Sequence, residues 1–211
     1  MRAMKHKANK TTQPIRSQSD REAIASYFWN RSLRDYALFI FGIYTGRRIV
    51  DLVRLNVRDV AYIDKKSRFC IVDRLKIQEK KTGKFIDLIL HPAARRALSK
   101  YLRQRRKAAP SMGAVLHEPL FKSQKARKSD GEFRITQQHA WRVLSNAARA
   151  CGLNYKIGTH SLRKTFGYQL YRNNVDIELI QRLLNHSSPA ITLSYIGITQ
   201  DDMDEAILSL D

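Results

Sequence analysis

Between Arg34 and Tyr44 the chain is strongly apolar, with Tyr36, Leu38, Phe39, Ile40, Phe41 and Ile43 in close succession before a Thr45-Gly46 step. On a helix these side chains point in most directions and form no single stripe, so the run predicts a helix buried on most sides. That demand shapes everything else, because the remaining elements must wrap around it. Glycine at position 46 interrupts the run, and a second short helix is expected from Arg48 to Arg54.

The flanking sequence supplies the wrapping. Ser19-Asp20-Arg21-Glu22 has the form of a capping box and predicts a helix through Phe28 and Trp29. Past Asn56 the period changes. Phe69–Val72 is a short apolar run, and residues 74–80 alternate, with Leu75 and Ile77 on one face and Lys76, Gln78 and Lys80 on the other. Thr82-Gly83 between two lysines, followed by Phe85–Leu90, reads as a hairpin turn and its return strand. Pro92 opens a helix to about Arg105. Residues 106–132 read as a connection with a short strand near Leu120-Phe121. Four helical stretches follow: Thr136 to Ala150, ending at Gly152; Ser161 to Arg172, ending at Asn173-Asn174; one capped by Asp176 and running through Leu184; and one started by Pro189 that carries Tyr195. The expected fold class is mainly α with one small antiparallel β-sheet, an α+β arrangement. The 211 residues suffice for one well-buried core and hardly for two.

Charge narrows the partner. The chain has 39 Lys+Arg against 19 Asp+Glu, a formal net charge of +20. Such a balance favours a polyanion, since each phosphate neutralised releases condensed counterions. Here the basic residues are spread through ordinary apolar periodicity, which favours a folded nucleic-acid protein over a disordered basic tail. No apolar run approaches the roughly 20 residues needed to cross a bilayer. Met1 to Lys10 is basic but lacks the apolar core of a signal peptide. Cys70 and Cys151 fit no metal spacing or disulfide framework, and both read as buried small side chains in a reducing cytoplasm. Neither a cofactor nor a metal is expected.

Three patches hold the chemically informative residues. They are Thr45-Gly46-Arg47-Arg48-Ile49-Val50-Asp51, the hairpin tip Lys80-Lys81-Thr82-Gly83-Lys84, and a C-terminal set. That set comprises Thr159-His160-Ser161-Leu162-Arg163, then Leu184-Asn185-His186, then Ser194-Tyr195. Singly, each has a bland reading. An arginine after glycine usually starts a solvated helix, a lysine-rich turn solubilises, and His-x-x-Arg merely places two side chains on one helical face.

In combination and in this order they resemble the tyrosine recombinase family, also called phage integrases. Arg48 fits the first arginine of Thr-Gly-x-Arg, Asp51 the acidic position after it, and Lys81 the hairpin lysine. His160 and Arg163 fit the His-x-x-Arg pair, His186 the last histidine, and Tyr195 follows that histidine by nine residues. The resemblance covers about residues 19–198.

That resemblance implies a site-specific DNA recombinase that integrates, excises or inverts a DNA element through a 3′-phosphotyrosyl intermediate. Tyr195 would be the nucleophile. Arg48 and Arg163 would hold the phosphate, because a guanidinium stays charged and forks onto two oxygens. His186 would donate a further hydrogen bond to it. Since a phenol has a pKa of about 10, Tyr195 must shed its proton as it attacks, and His160 is the expected base. Lys81 would protonate the leaving 5′-oxygen. Asp51, one helical turn beyond Arg48, is expected to support structure, since a carboxylate at the phosphate would repel it. The implied partners are double-stranded DNA and, on paired sites, a homotetramer that is monomeric when free, with accessory DNA-bending proteins as a further option. The implied location is the cytoplasm, at the nucleoid.

The match departs from the family pattern at Asn185, where most members have glycine; Asn is the next-best residue for a left-handed helix end. Lys80 and Lys84 flank Lys81 and Arg47 precedes Arg48, so which lysine and which arginine act stays open at this point. Many relatives place a helical DNA-binding domain ahead of the catalytic one. Here residues 1–18 read as a basic mobile arm, which leaves a naturally short recombinase or a trimmed chain as alternatives, and predicts salt-sensitive binding in either case. Residues 199–211 read as a tail helix with Met203, Ile207 and Leu210 on one side, packed in cis or exchanged between protomers. Two rival readings share these residues: a type IB topoisomerase-like enzyme that relaxes supercoils, and a catalytically silent DNA-binding regulator.

Overall fold

The computed structural model describes residues 11–107, 112–123 and 133–210. Helix α1 (Gln18–Trp29) leads into α2 (Leu33–Thr45), the helix that the apolar run predicts. Ala37, Leu38, Phe39, Phe41 and Ile43 on α2 are all buried, on opposite sides of the helix. Helices α4 (Pro92–Lys107) and α7 (Thr159–Arg172) pack against it, with α1 alongside. Gly42 allows the α2–α7 approach, since a Cβ there would meet Leu162 Cδ1 at 2.5 Å.

Gly46 caps α2 in the left-handed conformation, φ 62° and ψ 18°. A side chain there would be strained and would also overlap the Phe166 ring. The Thr45-Gly46 step is therefore a hard stop, after which Arg48 caps the short helix α3 (Ile49–Leu52). A 3-10 turn, Val57–Asp59, follows.

Two separate two-stranded antiparallel sheets replace the single sheet expected. Strand β1 (Ala61–Ile63) pairs with β2 (Phe69–Ile71), and β3 (Arg74–Gln78) pairs with β4 (Phe85–Ile89). β1 is only three residues long, too short for an alternation to register. In the second hairpin Leu75 is buried and anchors β3 to the core, while Phe85 faces outward. Helix α5 (Met112–Leu116) lies within the stretch read as a connection; positions 108–111 and 124–132 of that stretch are outside the described residues. Phe121 is fully buried there, and the expected strand near it is reduced to isolated bridges, Asn56 with Pro119 and Lys122 with Arg134.

The last third follows the caps. Thr136 accepts from His139 N at the start of α6 (Gln137–Ala150), and Asp176 accepts from Glu178 N and Leu179 N at the start of α8 (Ile177–Leu184). Pro189 sits in the first turn of α9 (Pro189–Ile196), and α10 (Gln200–Leu208) forms the tail.

Three expectations need correction. The first helix is capped by Ser17, whose side chain accepts from Asp20 N, rather than by Ser19. The arm over residues 1–18 is not wholly free. Ile15 is fully buried, its backbone N donates to Thr165 Oγ1 at 2.8 Å, and Gln13 N donates to Lys156 O at 2.9 Å. One apolar side chain and two backbone bonds turn residues 13–17 into a strap across α7; residues 1–10 lie outside the described residues. Cys70 and Cys151 are half-buried free thiols rather than core residues. Among the described residues no helix is long and apolar enough to cross a membrane, and no cluster of His, Cys, Asp or Glu could hold a metal ion.

Candidate active site

Each informative patch lands at the end of an element, and the ends meet. Arg48 leaves the Gly46 turn at the start of α3. His160 and Arg163 lie three residues apart in the first turns of α7, and His186 lies in the turn between α8 and α9. Tyr195 projects from α9, and Lys81 sits at the exposed tip of the β3–β4 hairpin.

His160 Nδ1 lies 3.4 Å from Tyr195 Oη. The His186 and Tyr195 rings form a T-shaped pair, with centroids 4.8 Å apart and planes at 73°. Lys164 Nζ lies over the same phenol, 5.3 Å from its centroid. Burial holds the Tyr195 hydroxyl above its ordinary pKa, while Arg163 and Arg48 pull it back down. The phenol is therefore protonated at rest and needs a base. His160 is suited to accept that proton. Burial, then the charges of Lys164, Arg163, Arg48 and Lys81, push its pKa below the usual histidine value, so it is neutral at rest. His186 is pushed further, to about 4, by burial and by Arg163 and Arg48.

The two arginines are fixed differently. Arg163 is buried, with Nη1 donating to Gly46 O at 2.7 Å and Nη2 to Leu184 O. It thus ties the end of α2 to the end of α8. Arg48 is partly open, with its side chain 19% exposed, and its Nη1 lies 2.8 Å from Glu79 Oε2. That nitrogen is buried against the carboxylate, so the ion pair with Glu79 is what holds Arg48 in place.

Arg47 and Arg48 differ in burial and in partners. Arg47 is turned into the core, with Nε donating to Thr45 O at 3.0 Å, Nη1 to Glu79 Oε1 at 3.3 Å and Nη2 to Leu183 O. Desolvation lowers its pKa to about 10, with Arg163 adding to the effect and Glu79 opposing it. Arg47 is thus held on three sides by the core, whereas the Arg48 side chain stays partly exposed.

Asp51 is buried, and its Oδ1 accepts from Lys80 N at 2.9 Å, which ties α3 to the base of the lysine hairpin. Glu79, which motif order does not single out, proves central. Its side chain is fully buried between Arg47 and Arg48, and Thr82 Oγ1 donates to its Oε2 at 2.8 Å. Thr82 and the two arginines hold its carboxyl below the usual range against the opposing effect of burial, which is the largest single influence on it. A signal for it exists in the strand pattern, since position 79 continues the inward face of Leu75 and Ile77.

A family profile described as the phage integrase family matches residues 17–201 of this chain. The chain belongs to the phage integrase family. Membership makes it a tyrosine recombinase, an enzyme class that cuts and rejoins DNA at specific sites. Among its relatives, the probable integrase/recombinase YoeC of Bacillus subtilis (strain 168) is 40% identical over 189 residues, covering 90% of this chain and 91% of that protein. The tyrosine recombinase XerD of Corynebacterium glutamicum is 30% identical over 176 residues, covering 82% of this chain and 51% of that protein. The chain thus spans about half the length of XerD and nearly all of YoeC. The crystal structure of XerA recombinase superposes with a TM-score of 0.68 at 22% identity, over 95% of this chain and 65% of that one. A XerH recombinase bound to a palindromic difH substrate gives 0.65 at 19% identity, over 94% of this chain and 53% of that one. Both likenesses show the phage integrase catalytic fold.

Proposed function

We propose that Tyr195 is the nucleophile of this recombinase and that residues 19–198 form its catalytic unit on double-stranded DNA. In the cleavage step Tyr195 Oη bonds to the scissile phosphorus and its proton passes to His160. The P–O5′ bond breaks as Lys81 gives a proton to the leaving 5′-oxygen. Arg48 and Arg163 stabilise the charge on the non-bridging oxygens, with His186 as a further donor. A 5′-hydroxyl from a second strand then reverses the step, so the bond energy is kept and no nucleotide cofactor is needed.

The observation that carries this reading is the 3.4 Å approach of His160 Nδ1 to Tyr195 Oη beside two fixed arginines. Lys81 is favoured over its neighbours because its charge reaches His160, whereas Lys84 Nζ is engaged by Asn185 Oδ1 at 2.8 Å. DNA contact is supported by the net charge of +20, which favours a polyanionic partner.

Assembly follows the same reading: a homotetramer on paired sites, monomeric when free, with accessory DNA-bending proteins according to the site and a place in the cytoplasm at the nucleoid. Arg16 Nη1 pairs with Asp202 at 3.0 Å and fixes the start of α10, while Met203, Ile207 and Leu210 remain exposed. An apolar stripe uncovered by its own protomer supports exchange of the tail with a neighbour.

The test is strand transfer between two differently labelled duplexes carrying the DNA that flanks the gene. Recombinant product supports this reading. Relaxation of supercoiled plasmid with no recombinant product would instead favour a topoisomerase.

A further inference from the structure

Asn185 stands in the left-handed conformation, φ 48° and ψ 50°, at the end of α8, and its backbone N–H donates to Arg182 O. Glycine would meet those backbone demands at lower cost, so they do not explain an asparagine. Its side chain does something that glycine cannot. Oδ1 accepts from Lys84 Nζ at 2.8 Å, and Nδ2 donates to Glu79 Oε2 at 3.5 Å. The amide orientation is fixed by chemistry, because an ammonium needs an acceptor and a carboxylate needs a donor.

Both partners lie at the closing end of the β3–β4 hairpin. Glu79 N donates to Lys84 O and Gly83 N donates to Glu79 O, each at 2.9 Å, so these two residues bracket the loop that carries Lys81. The residue after Asn185 is His186. From these contacts we infer that Asn185 is a positioning residue, a clasp that sets the lysine hairpin against the catalytic turn so that Lys81 reaches the leaving oxygen. Glu79 is the fixed side of the clasp, held by Arg47, Arg48 and Thr82. Lys84 is the exposed side. The inference rests on the reading that Lys81 is the proton donor.

Asn185→Gly preserves the backbone conformation and removes only the clasp. In the free protein, amide exchange across residues 79–84 should quicken in Asn185→Gly and in Lys84→Ala, while exchange within α2 stays as in wild type. Unchanged exchange in the hairpin overturns the clasp.

The catalytic arm uses the duplex on which wild-type cleavage has been mapped, prepared with oxygen or with sulfur at the 5′-bridging position. A thiolate leaves without being protonated, since a thiol has a pKa of about 8.5. Misplacing Lys81 should slow cleavage of the oxygen substrate by about tenfold to a hundredfold. The sulfur substrate should restore Asn185→Gly to the wild-type rate, as it should Lys81→Ala. If sulfur rescues Lys81→Ala but not Asn185→Gly, the clasp is wrong and the assignment of Lys81 stands. If sulfur fails to rescue Lys81→Ala, that assignment falls and takes the role of Asn185 with it.

Discussion

His186 Nδ1 lies 3.2 Å from Thr192 Oγ1, whose own proton is directed to Ser188 O at 3.1 Å. The hydroxyl has one proton to give, so it accepts from His186, which places the imidazole proton on Nδ1. In that tautomer Nε2 has no hydrogen to offer a phosphate. With its pKa depressed to about 4, His186 is neutral in the free protein near pH 7. A bound phosphate raises that pKa, because opposite charge favours the charged form. For His186 to act as a donor at pH 7 the phosphate must raise that pKa from about 4 to about 7. DNA binding should then take up a proton, seen as a calorimetric enthalpy that depends on the buffer and as affinity that weakens with rising pH. In His186→Asn the uptake should vanish. Wild-type binding without proton uptake would mean that Thr192 turns its hydroxyl toward His186 instead.

His160 predicts a pH limb of the opposite kind. Its pKa lies below the usual histidine value, so the base is already unprotonated at neutral pH. Cleavage within the bound complex should fall as pH drops and His160 gains a proton, and a Brønsted base of this sort contributes about 10²–10⁴-fold. Single-turnover rates across pH should show this acid limb in wild type and lose it in His160→Gln. An unchanged limb in the variant would remove His160 from proton transfer.

These two histidines show how much of the site is legible in the chain itself. As candidates they, with Arg48, Arg163 and Tyr195, are named by resemblance to the family's motif order, while helix starts and caps show only which element each one lies on. Asn185 is legible as a left-handed helix end, since only local backbone chemistry decides it. Its side-chain contacts are not, because they reach a hairpin a hundred residues away in the chain. Glu79 is hidden for a related reason: alternation places it inward, but only the folded chain supplies the two arginines that make a buried carboxylate tolerable. Ile15 escapes notice because one apolar residue has no period, and its slot exists only once α7 is in place.

Arg48 and Arg163 should separate when each is changed to lysine. Either change should cost about a hundredfold or more in cleavage, because a preplaced forked donor is lost from the phosphate. Arg48→Lys should leave thermal stability near wild type, as Glu79 keeps Arg47. Arg163→Lys also strands the Gly46 and Leu184 carbonyls and should destabilise by about 1–3 kcal/mol. Equal melting temperatures for the two variants would contradict this division.

Gly46→Ala tests the turn that aims Arg48. A β-carbon at φ 62° is strained and displaces Phe166, so unfolding free energy should fall by about 1–3 kcal/mol or more. Denaturant unfolding that matches wild type would show the turn to be softer than its geometry implies.

The central claim is that Tyr195 forms a covalent bond to DNA. Nicked duplexes covering the DNA that flanks the gene trap such a bond, because the short fragment released by cleavage diffuses away before it can religate. After incubation with the protein and denaturing electrophoresis, wild type should give a band of protein joined to DNA through a 3′-phosphate. Tyr195→Phe should bind the same duplex equally well and give none. A covalent band that persists in Tyr195→Phe, or salt-sensitive binding by wild type with no band on any flanking duplex, would contradict the account.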